Sequence, residues 1–343
     1  MRGTEIAATI EDVAEQAGVS VATVSRVINH SSLVSQKTTQ RVMESIEILG
    51  YVPNVSARNL RKRESGVVLV LAPNFTNPYY SHILPGICDS ARLLGYSAFI
   101  CSGKTENQEQ ALAEMLETKR ADGAILLTCN YDDFWLEKYA DKFPLVQTSE
   151  AVDGVKLPYV AIDNDQAIHD SMDYVYALGH RRIGFVSIQN KFLSTQLRKN
   201  GYLDAVRAFE GEGAIDQELI CETEDYGFES GHDAALRLLS RSDRPSAIVC
   251  GSDVLALGVI AGAQELDLNV PEDLSVIGFD DVDYTKMFHP YLTTIRQPCY
   301  QLGWESMKIL QKCITRGENS AERIVLPHEL KRRESAAIKK EER

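Results

Sequence analysis

Residues 19–29 read Val19-Ser20-Val21-Ala22-Thr23-Val24-Ser25-Arg26-Val27-Ile28-Asn29. Val24, Val27 and Ile28 recur at the three- and four-residue spacing that gives a helix one apolar stripe, and Ser20 stands where an N-cap belongs. Upstream, Gly18 breaks an earlier helix. That helix opens with Thr9-Ile10-Glu11-Asp12, a capping-box variant whose hydroxyl and carboxylate satisfy free amides of the first turn, and Val13, Ala14 and Ala17 give it an apolar face. Helix, short glycine-containing turn, helix is the helix-turn-helix pattern. Downstream, Ser35 caps a third helix with Val42, Ile46 and Leu49 inward and Gly50 at its end, so three stripes close a minimal core. The second helix then presents Val21, Ala22, Ser25 and Arg26 to a major groove, where a guanidinium can bond two acceptors of guanine. The short polar groups of Thr9, Ser20, Thr23 and Ser35, with amides at helix starts, suit phosphate contacts that set register. A purely structural helical hairpin is the plainer alternative for the same pattern.

Around this unit the 343-residue chain carries 36 Lys+Arg against 49 Asp+Glu, a formal net charge of −13. Such a balance argues against a protein that wraps nucleic acid over most of its surface, yet allows one small DNA-binding unit. Residues 1–65 hold eight bases and seven acids, about +1 by formal counting, which leaves about −14 on the remainder. Arg58, Arg61, Lys62 and Arg63 precede a change of pattern at Ser65-Gly66, the first expected domain boundary. With 44% hydrophobic and 25% charged residues the chain reads as globular, not disordered or fibrous. The Met1 to Thr9 leader has no apolar stretch like a secretory signal, and no run approaches the roughly 20 residues that span a bilayer. A cytoplasmic location without membrane contact is expected. The seven cysteines are scattered without a C-x-x-C pair and read as reduced, mostly buried small hydrophobes.

Beyond Gly66, short β-rich apolar runs alternate with amphipathic helical stretches, the pattern of parallel βαβ units. Strands are expected at Val67 to Leu71, Ser97 to Cys101, Ala124 to Thr128 and Leu145 to Gln147, with helices from Tyr80 to Leu94 and from Asn107 to Lys119. A second series starts near Val160-Ala161-Ile162 and continues through strands at Ile183 to Ser187, Ala247 to Cys250 and Ser275 to Phe279. Its helices run from Gln166 to Leu178, near Ser194 to Phe209, from Glu229 to Leu239 and from Val254 to Leu266. Doubly wound sheets bind ligands at the carboxyl ends of their strands, so two facing halves place a cleft between them.

The segment from Val19 to Asn29 strongly resembles the recognition segment of the LacI/GalR family of bacterial transcriptional regulators. Gly50-Tyr51-Val52-Pro53-Asn54 and Ala57-Arg58-Asn59-Leu60 resemble the family's hinge, which folds into a short helix on operator DNA and inserts a leucine into the minor groove. Leu60 occupies that leucine's position. Physically, residues 54–61 are too few for an autonomous helix in water, and their positive charge repels itself unless phosphates neutralise it. Wedging an apolar side chain between base steps costs a few kcal/mol of unstacking, offset by the contacts a bent duplex permits. The resemblance extends over nearly the whole chain, through Asn77-Pro78-Tyr79-Tyr80, Gly179-His180-Arg181-Arg182-Ile183-Gly184, Ser252-Asp253-Val254-Leu255-Ala256-Leu257-Gly258, Val276-Ile277-Gly278-Phe279-Asp280-Asp281 and Leu292-Thr293-Thr294-Ile295.

What the resemblance implies is an α/β chain with an N-terminal three-helix helix-turn-helix DNA-binding domain (1–53), a hinge helix and linker (54–65) and an effector-binding and dimerisation domain (66–343). The last would comprise two doubly wound α/β subdomains of the periplasmic-binding-protein-like type, one of about 66–161 and 294–325, the other of about 162–293 and 326–343. Asn29, Asn54, Ala57 and Leu60 join the DNA contacts on this basis. The effector cleft would include Tyr79, Tyr80, Phe192, Ser194, Arg198, Tyr226, Ser252, Asp253 and Asp280. Arg198 and Asp280 are strong candidates, because charged groups at strand ends are expensive to bury unless used; Asp253 could equally cap a helix, and Phe192 or Tyr226 belong to core. Ala7-Ala8-Thr9, Val34-Ser35-Gln36, Asn59 with Arg61 to Ser65, and the stretch around Asp225 to Glu229 are similar to the cytidine-responsive repressors of the family. An aromatic-rich cleft with few acids fits a nucleoside at least as well as a sugar.

The expected protein is a ligand-controlled repressor that binds a pseudopalindromic operator as a homodimer. Related frames respond instead to a phosphorylated carrier-protein corepressor, which is the alternative control. A sugar- or nucleoside-processing enzyme is the rival from another class. Against it, the chain lacks G-x-G-x-x-G, Walker A, H-E-x-x-H and G-x-S-x-G motifs, and its seven histidines lack metal-ligand spacing. Neither cofactor nor metal is expected. A periplasmic solute receptor is disfavoured by the amino-terminal reader.

Overall fold

Thr9 opens the first helix as its composition dictates: its hydroxyl accepts from the Asp12 amide at 3.3 Å, and the Asp12 carboxylate accepts from the Thr9 amide at 2.8 Å. The computed structural model describes residues 8–28, 33–51, 64–73, 77–102, 108–127, 133–152, 154–190 and 192–340. The expected contacts Asn29, Asn54, Ala57 and Leu60, and Cys129, lie outside these residues. The chain divides into two compact units, Met1–Ser65 and Gly66–Arg343.

In the first unit, α1 (Ile10–Ala17) ends at Gly18, α2 (Val21–Ile28) follows, and α3 (Gln36–Leu49) ends at Gly50. Both glycines sit at φ 60°, a left-handed cap that a side chain would strain. Val13, Ala14, Ala17, Val24, Val27 and Val42 make the buried core, with Ile46, Leu49 and Tyr51 packed around it.

The second unit contains two six-stranded sheets. Its first strand, β1 (Val67–Ala72), is apolar at every position because helices cover both faces of a parallel sheet. Then come α4 (Pro78–Leu93), β2 (Ser97–Ser102), α5 (Gln108–Glu117), β3 (Gly123–Leu126), α6 (Asp133–Ala140), β4 (Leu145–Thr148) and β5 (Tyr159–Ile162). The second sheet starts with α7 (Asn164–Ala177) and β6 (Ile183–Ile188), then α8 (Leu193–Glu210), β7 (Ile220–Thr223), α9 (Phe228–Leu239), β8 (Ala247–Cys250), α10 (Asp253–Glu265), β9 (Ser275–Asp280) and β10 (Thr293–Arg296). The chain ends through α11 (Cys299–Arg316), β11 (Arg323–Leu326) and β12 (Glu329–Lys331).

The strand orders are β2-β1-β3-β4-β5-β11 and β7-β6-β8-β9-β10-β12, so both lobes are doubly wound with the same switch beside the first strand. All pairings are parallel except β10 with β12. One expected boundary moves. A crossing at residue 294 would cut β10, whose Thr293 to Arg296 pair in register with Ile277 to Asp280 of β9, so the chain leaves the second lobe only at Gln297. It returns to the second lobe after Leu326, the last residue of β11. The described cysteines are free thiols, Cys221, Cys250, Cys299 and Cys313 being buried.

Candidate DNA reader and effector cleft

On α2, Ala22 and Arg26 are exposed, while Val21 and Ser25 are half-buried. Val21 packs against the three-helix core, so only part of that side chain remains for a base edge. The hydroxyls expected to meet phosphates turn out to be helix caps as well. Ser20 Oγ accepts from the Thr23 amide at 3.2 Å and Ser35 Oγ from the Thr38 amide at 3.3 Å. Each also lies 2.9 Å from a second hydroxyl, Thr23 and Thr38 respectively. Capping fixes these groups beside first-turn amides that have no helical partner, where the helix dipole favours an anion. Thr9 differs, because its hydroxyl donates to Asp12 at 2.8 Å and is spent within the cap.

In the second unit, the carboxyl ends of the central strands converge on a cavity of about 460 Å³. Tyr80, from the first turn of α4, lines it together with Phe192, Tyr226 and Phe228 from the other lobe. Asn77 caps α4 by accepting from the Tyr79 amide at 3.0 Å, which fixes both tyrosines after β1. Tyr79 is not on this wall: its hydroxyl donates to Gln297 Oε1 at 3.1 Å and lies 2.6 Å from the Ser149 hydroxyl, which can donate to it. Gln297 in turn donates through Nε2 to Asp280 at 2.8 Å, linking the first lobe, the crossing segment and the end of β9.

Arg198 on α8 is buried behind the wall. Its Nε donates to Asn164 at 2.8 Å, its Nη1 donates to the Gly251 carbonyl at 2.7 Å, and its guanidinium stacks 3.7 Å over the Phe279 ring. Asp280 is also buried. Burial pushes its carboxyl up to about 7 against the opposing pull of Arg198 and the Gln297 hydrogen bond, while Glu150 adds repulsion. Burial likewise raises Glu150, with Arg198 and the Ser194 hydroxyl pulling the other way. Tyr226 is pushed up to about 12, first by burial, so it stays a neutral phenol whose hydroxyl sits 3.3 Å from Thr195.

Seven of the nine expected effector residues therefore gather around one cleft, Tyr79 as a support and the others on or behind the wall. Ser252 and Asp253 are committed within their lobe. Ser252 caps α10 by accepting from the Leu255 amide at 3.2 Å. Asp253 accepts from the Thr294 hydroxyl at 2.5 Å and the Val282 amide at 2.8 Å, tying α10 to the segments after β9. The expectation of few acids is corrected: Glu150, Glu224 and Asp225 all line the cavity. Sequence reading also passed over Asn190, Phe228 and Gln297. For Glu150 a signal existed, since it lies two residues beyond the carboxyl end of β4, where ligands of doubly wound sheets bind.

A three-helix reader with an exposed arginine, joined in one chain to a two-lobed α/β unit with a ligand-sized cleft, defines a DNA-binding regulator of the helix-turn-helix class. The sequence model of bacterial regulatory proteins of the lacI family matches residues 9–54, and that of a periplasmic binding protein-like domain matches residues 172–336. The chain is 38% identical over 308 residues to the HTH-type transcriptional repressor CytR of Escherichia coli K12, covering 89% of each protein. It is 34% identical over 330 residues to catabolite control protein A of Priestia megaterium, covering 95% of this chain and 98% of the relative. Its structure is similar to the lac repressor dimer bound to operator and the anti-inducer ONPF, with a TM-score of 0.83, 27% identity and coverage of 96% of this chain and 99% of that one. The chain belongs to the lacI family of bacterial regulatory proteins.

Proposed function

We propose that this protein is a cytoplasmic, non-catalytic repressor that binds a pseudopalindromic operator as a homodimer and is controlled by a nucleoside in the cleft of residues 66–343. The observation that carries the reading is the cleft itself. Four aromatic side chains from both lobes surround a volume suited to one ring system, with an arginine and a partly protonated carboxyl behind them. The similarity to the HTH-type transcriptional repressor CytR and to a lac repressor dimer bound to operator supports the DNA half.

In this reading Tyr80, Phe192 and Tyr226 stack on the ligand, and Ser194, Arg198 and Asp280 supply hydrogen bonds. Tyr79, Ser252 and Asp253 hold the wall in place. With Nε and Nη1 of Arg198 already engaged, Nη2 is the donor that a ligand would take. Arg26 reads a guanine, Val21 and Ala22 offer methyl contacts, and Thr23, Ser25 and Asn29 assist. Leu60 is the minor-groove wedge, with Asn54 and Ala57 among the hinge's DNA contacts. Closure on a ligand rotates one lobe against the other and changes the spacing of the two hinges across the dimer.

Selection from random DNA, followed by thermal-shift screening of nucleosides and sugars, tests the proposal. The expected result is a two-fold symmetric site bound by two chains, and a melting shift with at least one nucleoside. An asymmetric or absent consensus would defeat the operator half. A shift with no nucleoside and no sugar would favour the carrier-protein corepressor.

A further inference from the structure

Asn164 is a buried carboxamide whose use lies outside its own helix. It is 1% exposed and opens α7, two residues after β5 ends at Ile162, where the chain crosses from the first lobe to the second. An asparagine at a helix start ordinarily caps it, but here Asp163 is the cap, accepting from the Gln166 amide at 3.0 Å. The Asn164 side chain is turned to Arg198 instead. Its Oδ1 accepts from Nε at 2.8 Å and its Nδ2 donates to the Ile162 carbonyl at 3.4 Å, so the amide joins the arginine to the last residue of β5. Two further contacts complete the hold: Nη1 donates to the Gly251 carbonyl beyond β8, and the guanidinium stacks on Phe279 of β9. A planar fork fixed at Nε, at Nη1 and across one face has a single direction left for Nη2. Both fixed edges meet neutral oxygens. Among the described residues Arg198 has no ion pair, while Asp280 and Glu150 act on it through space. The next crossing repeats the pattern, since Gln297 puts its own carboxamide on Asp280.

We infer that Asn164 is a positioning residue of the effector site: it aims Nη2 of Arg198 at the ligand without neutralising the arginine's charge, and it sets that aim from the segment that links the lobes. This rests on the small-molecule reading above, in which Nη2 is the donor that meets the effector. An acid at position 164 would hold Nε equally well but would cancel the charge offered to the ligand. An apolar residue would leave Nε, buried and charged, without a partner. Because β5 belongs to one lobe and α7 to the other, rotation of the lobes turns the crossing, and Asn164 carries that turn to the guanidinium.

The test is a double-mutant cycle read by calorimetry on the full chain, with cytidine and ribose as the probes. Asn164→Ala is expected to weaken the tighter probe at least about tenfold, the effect of losing one hydrogen bond to a charged group. In an Arg198→Lys background, which lacks the Nε–H, the same substitution is expected to cost less than about twofold, whereas a merely structural role would cost equally in both. A cooperative melting transition shows that each variant is folded, and Asn164→Ser, too short to reach Nε, replaces the alanine variant if it is not. Where the lysine background binds too weakly to titrate, a crystal structure of the Asn164 variant decides, the expected result being a guanidinium turned away from the Gly251 carbonyl. Unchanged affinity in a folded variant, equal losses in the two backgrounds, or a guanidinium left in its native place overturns the inference while leaving the effector reading intact. A native protein that binds neither probe removes both.

Discussion

Asp280 shows how one residue serves fold and function together. Its carboxyl titrates near 7, where the unfolded chain's value is about 4. The native state therefore keeps a proton that the unfolded chain has released, and the stability this gives is complete below about pH 4 and lost as pH rises through 7. The melting temperature of the Gly66–Arg343 unit is accordingly expected to fall between pH 5 and pH 8, with a smaller fall in Asp280→Asn. An equal fall in both proteins, by scanning calorimetry, would remove Asp280 as the source. At the reader, Arg26→Ala is expected to weaken operator affinity by about 1–3 kcal/mol, roughly 5- to 150-fold, with little change on random DNA. Equal losses on both DNAs would make Arg26 a phosphate contact. Asp280 was legible as a candidate because a charge at a strand end needs a use, whereas Arg198, inside α8, entered the list through the family resemblance. Glu150 had only its place two residues beyond β4 to mark it, because a glutamate in a predicted loop looks solvated until the opposite lobe is seen to cover it. Ser252 and Asp253 were legible as a helix start, but their bonds to Leu255, Thr294 and Val282 depend on contacts up to 41 residues away.

The elements that carry the site are held at fixed distances by glycines. A Cβ on Gly86 of α4 would lie 2.0 Å from the Tyr300 carbonyl oxygen of α11, and one on Gly303 would lie 2.3 Å from that of Ile83. The reciprocal pair lets the two helices approach backbone to backbone. A matching pair, Gly231 and Gly258, does the same for α9 and α10, at 2.2 Å from Leu255 and 2.1 Å from Phe228. Gly303→Ala is expected to cost about 1–3 kcal/mol of stability through overpacking. Because α4 carries Tyr79 and Tyr80 on its first turn, effector affinity should fall with it. An unchanged melting temperature would show that the helices part without strain. Most of the first lobe's strands and the helices around the cleft were readable from apolar runs and periodicity. The amphipathic α11 was equally readable from Leu302, Met307, Leu310 and Cys313 but lay beyond the last assigned strand. By contrast β10 holds two threonines and an arginine among its four residues, and β11 and β12 are half exposed, so no continuous apolar run marks any of the three.

At the scale of the molecule, the charge of −13 divides into about +1 on residues 1–65 and about −14 on the remainder. The acidic bulk is thus confined to the unit that holds the effector, and DNA contact falls to a small reader whose bases cluster between Arg58 and Arg63. Both the chain order and the alternating βα pattern forecast this division. The mirrored strand order of the two lobes and the late return at Gln297 came only from strand pairing, which is non-local. The central claim is that the two units exchange free energy, and linkage makes it measurable: if the effector alters operator affinity by some factor, the operator must alter effector affinity by the same factor. The most direct measurement pairs anisotropy titrations of a selected operator, with and without saturating cytidine, with calorimetry of cytidine, with and without operator. The account predicts one factor of at least about tenfold in both directions, abolished in Arg198→Ala, whose operator affinity alone stays native. Cytidine binding that leaves operator affinity unchanged would contradict it.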